Sequence, residues 1–393
     1  MRALAAASRS EGTRAWAVGG AVRDALLSRE LLDLDATVET SLDRVAGSLE
    51  RAGIGRLVPL SEANPRAIRL AGKRILDLVE ADGGSLARDL ARRDFTVNAM
   101  AVALPSGGLI DPHGGARDLR SGVLRMLSEG NLEDDPLRTF RAARFIATHG
   151  LRPDRATAQA CRRQAAGIAG AAPERVAVEL QRILESPRAV PALRWAAAHR
   201  VLEPALRSPR APGPGFSRAV APLDAPAILR LTPPRRALLR LASLSAALGL
   251  EPGDTGAWLR RLRYGRDAIG EVVRLRELAA AASLADDDDG RWVWVREAGA
   301  AWEDALRLLV SRQPARRASA RALASRARRA RRRPRIRGRD VLLWTGIRPG
   351  PRVGTLLAEV EVEVLRGRLT TRSGARRWLK RHAEGSGEAR RTD

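Results

Sequence analysis

With 393 residues, 45% of them hydrophobic, the chain is longer than one typical domain of roughly 100–200 residues and predicts two or more folded units. Its apolar stretches are short and interrupted by arginine, and its first residues lack the apolar core of a signal peptide, so we expect no membrane span. The single cysteine, Cys161, excludes an internal disulfide, and four scattered histidines argue against a zinc enzyme. We therefore expect a reducing, cytoplasmic setting.

The charge balance indicates an acidic partner. Seventy basic against 45 acidic residues give a formal net charge of +25, and Lys73 and Lys380 are the only lysines. Such a field attracts polyanions, with strong salt dependence. A GC-rich coding bias would give the same arginine excess, so the charge indicates nucleic acid only together with the motifs below. Aromatic residues make up only 3%, which favours phosphate and shape contacts to folded RNA over base stacking.

The first third of the chain predicts an α+β unit that ends near residue 126. In chain order the patterns predict a strand over 14–18, a turn at Gly19-Gly20, a helix over 21–28, a strand over 31–38, a helix over 43–52, and a strand pair over 66–70 and 74–79 around an Ala71-Gly72-Lys73 turn.

From about residue 130 the pattern becomes helical. Two apolar stripes at helical spacing predict core-facing helices: Val176, Leu180, Ile183 and Leu184, then Val353, Leu356, Leu357, Val360 and Val364. Residues 203–235 carry eight prolines and predict a loop between helical units. Asp286–Asp289 is expected to be a solvated loop rather than a cation site. The tail after about residue 383 is expected to be unordered.

The segment Arg312–Arg333 holds ten arginines and no acidic residue. Two interpretations of this segment stay open. In the first, the segment forms a helix face that follows phosphates, and in the second, it is a solvated linker.

The motif Gly19-Gly20-Ala-Val-Arg23-Asp24 predicts a phosphate site. A strand, a glycine turn and a helix start together offer free backbone N–H groups, and glycine lets a triphosphate approach the backbone closely. Arg23 can add a charge-assisted contact to a phosphate oxygen. Glycine pairs also occur in ordinary turns, so this motif gains weight only from its neighbours.

Asp33 and Asp35 are separated by one residue, so both side chains leave one face of a strand. Paired carboxylates suit Mg²⁺, which also accepts phosphate oxygens as ligands. Two such ions could activate a hydroxyl nucleophile and stabilise a leaving pyrophosphate. Asp77 is a candidate third carboxylate on a neighbouring strand, or equally a solvent-facing residue.

Two further groups offer donors and acceptors to a nucleotide. The first is the run Arg92-Arg93-Asp94-Phe95-Thr96-Val97-Asn98. The second begins at Asp135-Pro136, which predicts a helix with aspartate as N-cap and proline at the first position. Arg138, Arg141 and Arg144 then form a stripe along that helix. Without the other motifs, a capped helix with a salt-bridged surface stripe would explain the second group.

These motifs resemble class II tRNA nucleotidyltransferases, the family of CCA-adding enzymes and bacterial poly(A) polymerases. GGAVRD with DLD, ARRDFTVNAMA, LIDPHGGARDL, EDDPLRTFRAARF and PERVAVELQRIL occur in the family's order. The segment RGRDVLLWTGIRPGPRVGTLLAEVEVEVLRGRL resembles the tail of the bacterial CCA-adding branch. The likeness spans nearly the whole chain, with a gap around residues 205–330. Any one of these motifs is weak evidence for the family, whereas five motifs in the family's order are specific evidence for it.

The resemblance implies a head domain of the DNA polymerase beta type over 1–127, a helical neck over 128–200, a helical body over 201–330 and a tRNA-binding tail over 331–393. It implies a Mg²⁺-dependent enzyme that adds CCA to the tRNA acceptor arm from CTP and ATP, with no membrane partner. Asp33 and Asp35 would hold the metals, with Asp77 as the third acid. The nucleotide-binding set would be Gly19, Gly20, Arg23, Asp24, Arg92, Asp94, Asn98, Asp135, Arg138, Arg141 and Arg144.

Within that set the resemblance implies distinct roles. Gly20 and Arg23 would contact the triphosphate, while Arg92 and Asp94 would serve the phosphate and ribose side. Asp135 and Arg138 would pair with the base. Arg141 and Arg144 would support the phosphates or order the base-reading pair.

The sequence departs from the family in the segment Leu78–Ala91, which is only fourteen residues long where a longer basic loop is expected. Asp134 also replaces the usual glutamate. Because a shortened loop is typical of enzymes that add only CC, CC-only addition is an alternative to full CCA addition. A poly(A) polymerase and a non-catalytic RNA-binding relic are further alternatives.

Overall fold

The computed structural model describes residues 1–31, 33–59, 67–72, 75–208, 210–284, 288–330 and 335–384. The chain folds as two compact units, Met1–Pro212 and Gly213–Asp393. Within these ranges, no helix combines the length and apolar character needed to cross a lipid bilayer. The division into head, neck, body and tail stays a prediction.

The first unit is built on a seven-stranded mixed sheet. Its strands are β1 Ala15–Val18, β2 Asp33–Val38, β3 Arg56–Pro59, β4 Ala67–Ala71, β5 Ile75–Glu80, β6 Ala101–Leu104 and β7 Leu109–Ile110. The spatial order is β3-β4-β5-β2-β1-β6-β7, and β2 with β5 is the parallel pair in an otherwise antiparallel sheet. A separate parallel pair joins β8 Val123–Leu124 to β9 Arg152–Pro153.

Helices pack on this sheet and continue beyond it. They are α1 Arg2–Ser10, α2 Gly20–Leu26, α3 Leu42–Arg51, α4 Leu86–Ala91, α5 Gly115–Arg120, α6 Glu129–Asp134, α7 Leu137–His149, α8 Arg155–Gln164, α9 Pro173–Glu185, α10 Ala189–Ala198 and α11 Leu202–Leu206. Val45 and Leu49 of α3 lie in the core against Val38 and Leu78, as their helical spacing requires. The predicted α+β class, including the strand–turn–helix over 14–26, is confirmed.

The predicted apolar stripe of α9 is also confirmed, because Val176, Leu180, Ile183 and Leu184 are fully buried. Cys161 of α8 is a buried free thiol. Burial raises its pKa to about 12, which suits a small core residue and not a nucleophile. The segment 78–91 forms no open loop: it finishes β5 and continues through a 3₁₀ turn, Asp82–Gly84, into α4.

The second unit is helical throughout its described residues. Its helices are α12 Phe216–Ala219, α13 Pro226–Leu229, α14 Pro233–Ala247, α15 Pro252–Arg261, α16 Arg266–Leu284, α17 Asp288–Ala298, α18 Trp302–Arg312, α19 Arg317–Ala330, α20 Gly338–Thr345, α21 Pro351–Arg366 and α22 Arg372–Glu384. Leu356 and Val360 of the predicted α21 stripe are fully buried.

One loop prediction was wrong, and a second, for Asp286–Asp289, was wrong for the two aspartates that the structure describes. Residues 203–235 contain short helices, several of which begin at a proline, because proline's fixed φ suits the first helical turn. Asp288 and Asp289 begin α17, whereas Asp286 and Asp287 lie outside the described residues. Leu32, Lys73, Arg74, Arg331–Arg333 and the tail beyond 384 also lie outside them.

Candidate active site

The glycine turn between β1 and α2 packs directly against two charged side chains. Gly19 has a φ of +64°, and a methyl group placed on it would lie 2.6 Å from Nη1 of Arg93. A methyl group on Gly20 would lie 3.3 Å from Oδ2 of Asp35. Glycine is required at position 19 for its backbone angle and for its lack of a side chain. Asp35 thus lies at the glycine turn.

Strand β2 places its acidic residues beside β5. In the parallel register Asp33 lies opposite Ile75, and Asp35 opposite Asp77. The backbone of Asp33 belongs to the described residues, and its side chain does not. Both oxygens of Asp77 accept hydrogen bonds of 2.7 Å from Arg69, its partner across β4 and β5. Asp77 therefore shares a sheet position with Asp35 but forms a bidentate ion pair.

The residues of the site that suit a magnesium ion are the aspartates of β2. Among the described residues, no three histidine, cysteine, aspartate or glutamate side chains cluster as a metal site would need. Magnesium, however, is commonly held by one or two carboxylates together with substrate phosphates. Asp35, beside a glycine turn that can take phosphates, has the right chemistry for such a shared site.

A line of hydrogen bonds runs from α2 to α7. Nη1 of Arg23 donates to Oδ1 of Asn98 at 2.5 Å, and Nδ2 of Asn98 donates to Oδ1 of Asp94 at 2.8 Å. Oδ2 of Asp94 accepts from Nη1 of Arg141 at 3.0 Å. Burial by itself would raise the pKa of Asp94, but the charge of Arg141 and the bonds from Asn98 hold that pKa below its usual value. Asp94 is therefore ionised, and in the interior it links Asn98 to Arg141.

Beyond Asp94 the line ends at a buried carboxylate, Glu179 of α9. Its Oε1 lies 3.4 Å from Nε of Arg141, and its Oε2 accepts from Nε of Arg144 at 2.5 Å. Arg144 is buried and stacks on the ring of Phe145. The stripe of arginines is thus not an exposed surface feature, because its inner members belong to a network within the first unit.

The start of α7 differs from the predicted cap. Pro136 is the N-cap, and the carboxylate of Asp135 does not cap the helix. It accepts instead from Nη2 of Arg175 at 2.7 Å and lies 3.9 Å from Nε of Arg138. The expected N-cap role was wrong because the adjoining helix α6 ends at Asp134, which leaves Asp135 in the junction between the two helices.

Arg138 fixes this junction to the Arg-Arg-Asp motif. Its Nη1 donates to the carbonyl oxygens of Arg92 and Asn131, at 2.9 and 2.8 Å. Asn131 in turn donates to the carbonyl oxygens of Ala91 and Arg93, at 2.8 and 2.7 Å. The side chain of Arg92 is 55% exposed, with one ion pair to Asp89 at 3.4 Å. The junction therefore leaves Arg92 accessible to a ligand.

Arg23 is held on its other side by Asp24 and, through it, by His149. Nε and Nη2 of Arg23 donate to the two oxygens of Asp24 at 2.9 and 3.0 Å. Nε2 of His149, at the end of α7, lies 3.3 Å from Oδ1 of Asp24. Burial acts to raise the pKa of Asp24, but the bonds from His149 and Arg23 outweigh it and lower that pKa to about 2. Asp24 thus fixes the orientation of the Arg23 guanidinium.

Sequence reasoning did not single out five residues of this arrangement: Arg69, Asn131, His149, Arg175 and Glu179. Arg69 could have been found, because the antiparallel pairing of β4 with β5 sets it opposite Asp77. Glu179 is an acidic residue within the apolar stripe of α9, which is a signal for a buried partner. The contacts of Asn131, His149 and Arg175 depend on how separate helices pack, and no local pattern reveals them.

Family models match two parts of the chain. The Poly A polymerase head domain matches residues 15–125. A model described as a probable RNA and SrmB-binding site of polymerase A matches residues 150–210. The first match contains the glycine turn, β2 and Asp94, and the second contains Arg175 and Glu179.

Solved structures share this fold. The Thermotoga maritima CCA-adding enzyme complexed with tRNA has a TM-score of 0.75 at 23% identity, covering 98% of this chain and 94% of that one. A complex of a CCA-adding enzyme with CTP has a TM-score of 0.73 at 23% identity, covering 100% of this chain and 94% of that one. At these identities the likeness concerns architecture, and it confirms the predicted head followed by helices.

Relatives by sequence carry more than one name, and they include CC-adding and A-adding enzymes. The CC-adding tRNA nucleotidyltransferase of Geobacter sulfurreducens is 40% identical over 190 residues, which is 48% of this chain and 44% of that protein. The match therefore spans less than half of that relative's length. The A-adding tRNA nucleotidyltransferase of Deinococcus radiodurans is 34% identical, over 93% of this chain and 95% of its own length. With a match of that extent, the chain belongs to the class II tRNA nucleotidyltransferase family that its motifs resemble.

Proposed function

We propose that this protein transfers nucleotides from CTP and ATP to the 3′ end of tRNA, completing CCA without a nucleic-acid template and releasing pyrophosphate. The observation that carries the proposal is the position of Asp35 against the Gly19-Gly20 turn, which sets a carboxylate beside a backbone suited to phosphates. A triphosphate bound at that turn would present its α-phosphorus next to the β2 carboxylates.

The side chains around the turn would hold the triphosphate in place. Arg23 lies at the start of α2 with its guanidinium oriented by Asp24 and Asn98, so it is preorganised to contact a phosphate. Arg93 lies over Gly19, and Arg92 is accessible beside it. We assign these arginines to phosphate and ribose contacts. Catalysis would then rest on alignment and charge neutralisation, as is usual for phosphoryl transfer.

Nucleotidyltransferases are generally metal-dependent. We propose that Asp33 and Asp35 hold Mg²⁺ here, since two carboxylates of one strand plus phosphate oxygens give the ligand set that this ion prefers. When bound, the ion would neutralise phosphate charge and lower the pKa of the attacking hydroxyl. Asp77 would join only if Arg69 released it, because both of its oxygens accept from that arginine.

Asp135 and Arg138 are our candidates for reading the base. An acceptor and a donor presented together can pair with the edge of cytosine or adenine. Arg138 is fixed by two carbonyl oxygens, and Asp135 is fixed by Arg175. Arg141 and Arg144 are bound to Glu179 and to Asp94, so we assign them to ordering this pair rather than to phosphate contact. The second unit would bind the acceptor arm of tRNA.

A second candidate is addition of the terminal A alone. It is favoured because the relative that matches over nearly the whole of both chains is an A-adding enzyme, whereas the CC-adding relatives match over about half of this chain. CC-only addition, suggested by the short segment 78–91, is supported by those half-length relatives.

The experiment offers purified protein three tRNAs, which end before CCA, after one C and after CC, with labelled CTP and ATP supplied separately. Full CCA activity predicts C incorporation on the first two and A incorporation on the third. Only A on the third tRNA would establish the A-adding alternative, and only C on the first two would establish the CC-adding one. No incorporation on any of them would leave a non-catalytic RNA-binding protein.

A further inference from the structure

The last residue of α7, His149, is held against α2. Its helix ends there because Gly150 takes a left-handed φ of +68° and donates its backbone N–H to the carbonyl oxygen of Ile146 at 3.1 Å. The side chain of His149 is only 5% exposed, and its ring lies 5.4 Å from that of Phe145. Position 149 falls between the two segments that the family models match. The polar contacts of His149 therefore have to be explained from the packing of this chain.

The partners of His149 fix which of its nitrogens carries the proton. Asp24, with a pKa of about 2, is ionised and can only accept, so Nε2 of His149 donates to its Oδ1 at 3.3 Å. Burial and the charges of Arg23 and Arg29 hold the pKa of His149 below 6.5, so above neutral pH the ring has one proton and Nδ1 accepts. The hydroxyl of Thr148, 2.7 Å from Nδ1, is its donor.

The line of contacts continues from Asp24 to the glycine turn. The two oxygens of Asp24 accept from Nε and Nη2 of Arg23 at 2.9 and 3.0 Å. Nη2 of Arg23 would lie 3.5 Å from a methyl group placed on Gly20, so the guanidinium lies directly against the turn. The side chain of Asp24 is 28% exposed, which leaves it room to turn toward solvent unless a second partner holds it. His149 is that second partner.

We propose that His149 is a positioning residue for nucleotide binding, because its hydrogen bond to Asp24 holds the guanidinium of Arg23 at the Gly19-Gly20 turn. The inference rests on the proposed function, which brings a triphosphate to that turn. A charged group that is already oriented loses less freedom when its ligand binds. Since α7 begins beside Asp135 and ends at His149, one helix would connect the proposed base-reading residues to the proposed phosphate site.

The test separates the ring of His149 from its hydrogen bond. H149F keeps a ring beside Phe145 but has no donor, whereas H149Q loses the ring and can offer Asp24 an amide N–H. Initial rates of CTP and ATP incorporation are measured at about pH 8 on tRNAs of defined ending. We expect H149F to raise KM for the nucleotide at least about fivefold with less than about a twofold change in kcat, because uniform phosphate binding is lost. H149Q should restore most of the wild-type KM.

H199F is the matched control. His199 follows α10 in the same unit, is half-buried, stacks on Trp195 and lies 2.8 Å through Nδ1 from the carbonyl oxygen of that residue. It has the same kind of environment without a contact to α2, so H199F should keep the wild-type KM. Melting temperatures above the assay temperature establish that each variant is folded.

A double-mutant cycle tests whether His149 acts through Asp24. If it does, adding H149F to D24A should raise KM no further than D24A alone, because the two substitutions break the same line of contacts. A further rise in D24A/H149F, equal to that of H149F in the wild type, would overturn the proposal. Equal KM values in H149F and H149Q would also overturn it, because the ring would then matter only for filling space.

Calorimetric titration with CTP keeps this inference apart from the proposed reaction. A wild type that binds CTP without incorporating it refutes the reaction, and the CTP affinities of H149F and H149Q then decide the role of His149 by the same comparison. Normal incorporation by the wild type with an unchanged KM in H149F refutes only the positioning role. A wild type that binds no CTP refutes both.

Discussion

His149 and Asp24 are 125 residues apart in the chain, yet Nε2 of the histidine lies 3.3 Å from Oδ1 of the aspartate. The contact joins the end of α7 to α2, and through Asp24 it reaches the guanidinium of Arg23. Burial lowers the pKa of His149 below its ordinary 6.5, and the charges of Arg23 and Arg29 lower it further. The contact with Asp24 acts in the opposite direction but does not outweigh them.

The first prediction is a loss of stability in two acid windows. Below about pH 6.5 the unfolded chain protonates His149 while the folded chain resists, so stability falls as pH falls. The pKa of Asp24 is near 2 in the folded chain and 3.8 otherwise, so its contribution is complete above about pH 4 and disappears as pH falls toward 2. Urea midpoints should therefore fall less between pH 7 and 5 in H149Q than in the wild type.

H113Q is the control for that measurement, since His113 lies in a turn outside this network. D24N should flatten the second window between pH 4 and 2. If H149Q and H113Q show the same pH dependence as the wild type, His149 is not the group that titrates.

The second prediction concerns the carboxylates that we propose to bind the metal. D35A, and likewise D33A, should lower nucleotide incorporation by at least about 1,000-fold, because several kcal/mol of charge stabilisation depend on the bound ion. Affinity for tRNA should change little. D43A removes an exposed aspartate of the neighbouring helix α3 and should incorporate nucleotides normally. Near-normal turnover in D35A would refute the assignment.

The third prediction separates backbone strain from contact at the glycine turn. Gly12 and Gly19 both have a positive φ, +66° and +64°, but Gly19 combines it with a ψ of −126°, outside the left-handed helical region, so alanine costs at least about 1 kcal/mol of stability at either position and more at Gly19. A methyl group on Gly12 would meet no atom within 4 Å, whereas one on Gly19 would displace Arg93. We expect G12A to lose stability only, and G19A also to lose affinity for CTP in calorimetry. Equal CTP affinity in both variants would show that Arg93 does not contact the triphosphate.

The fourth prediction tests the pair that we propose to read the base, Asp135 and Arg138. D135A should weaken the discrimination between CTP and ATP more than it weakens tRNA binding, because it removes the acceptor and frees Arg175. D134A removes the adjacent, exposed carboxylate and should leave discrimination unchanged. Ratios of kcat/KM for the two nucleotides on tRNAs of defined ending measure the effect. An unaltered ratio in D135A would exclude this residue from base reading.

How much of this site could be predicted from the sequence depends on how far apart along the chain the interacting residues lie. The Gly19-Gly20 turn and the β2 carboxylates could be located because glycine at a strand end and alternating aspartates are local signals. Register alone then put Asp77 beside Asp35. The pairing of Asp77 with Arg69 depends on which residues oppose each other across a hairpin, and it was missed.

The arginine stripe of α7 shows the opposite limit. Its spacing of three residues was evident, but spacing cannot tell an exposed face from one covered by another helix. Arg144 is buried because α9 presents Glu179 to it, and the charge of that carboxylate compensates a guanidinium that would otherwise be costly to bury. Asp135 was predicted as a cap from the Asp-Pro pair, and tertiary packing gave it a different partner.

The two hydrogen bonds of the Asn98 side chain restrict which amino acids can replace it. Arg23 can only donate and ionised Asp94 can only accept, so the amide has one admissible orientation, with oxygen toward the arginine and nitrogen toward the aspartate. An aspartate at this position has almost the same shape, yet it would set two carboxylates 2.8 Å apart and require a shared proton. Aspartate is thus a poor replacement although it has nearly the size of asparagine, because it brings a second negative charge next to Asp94.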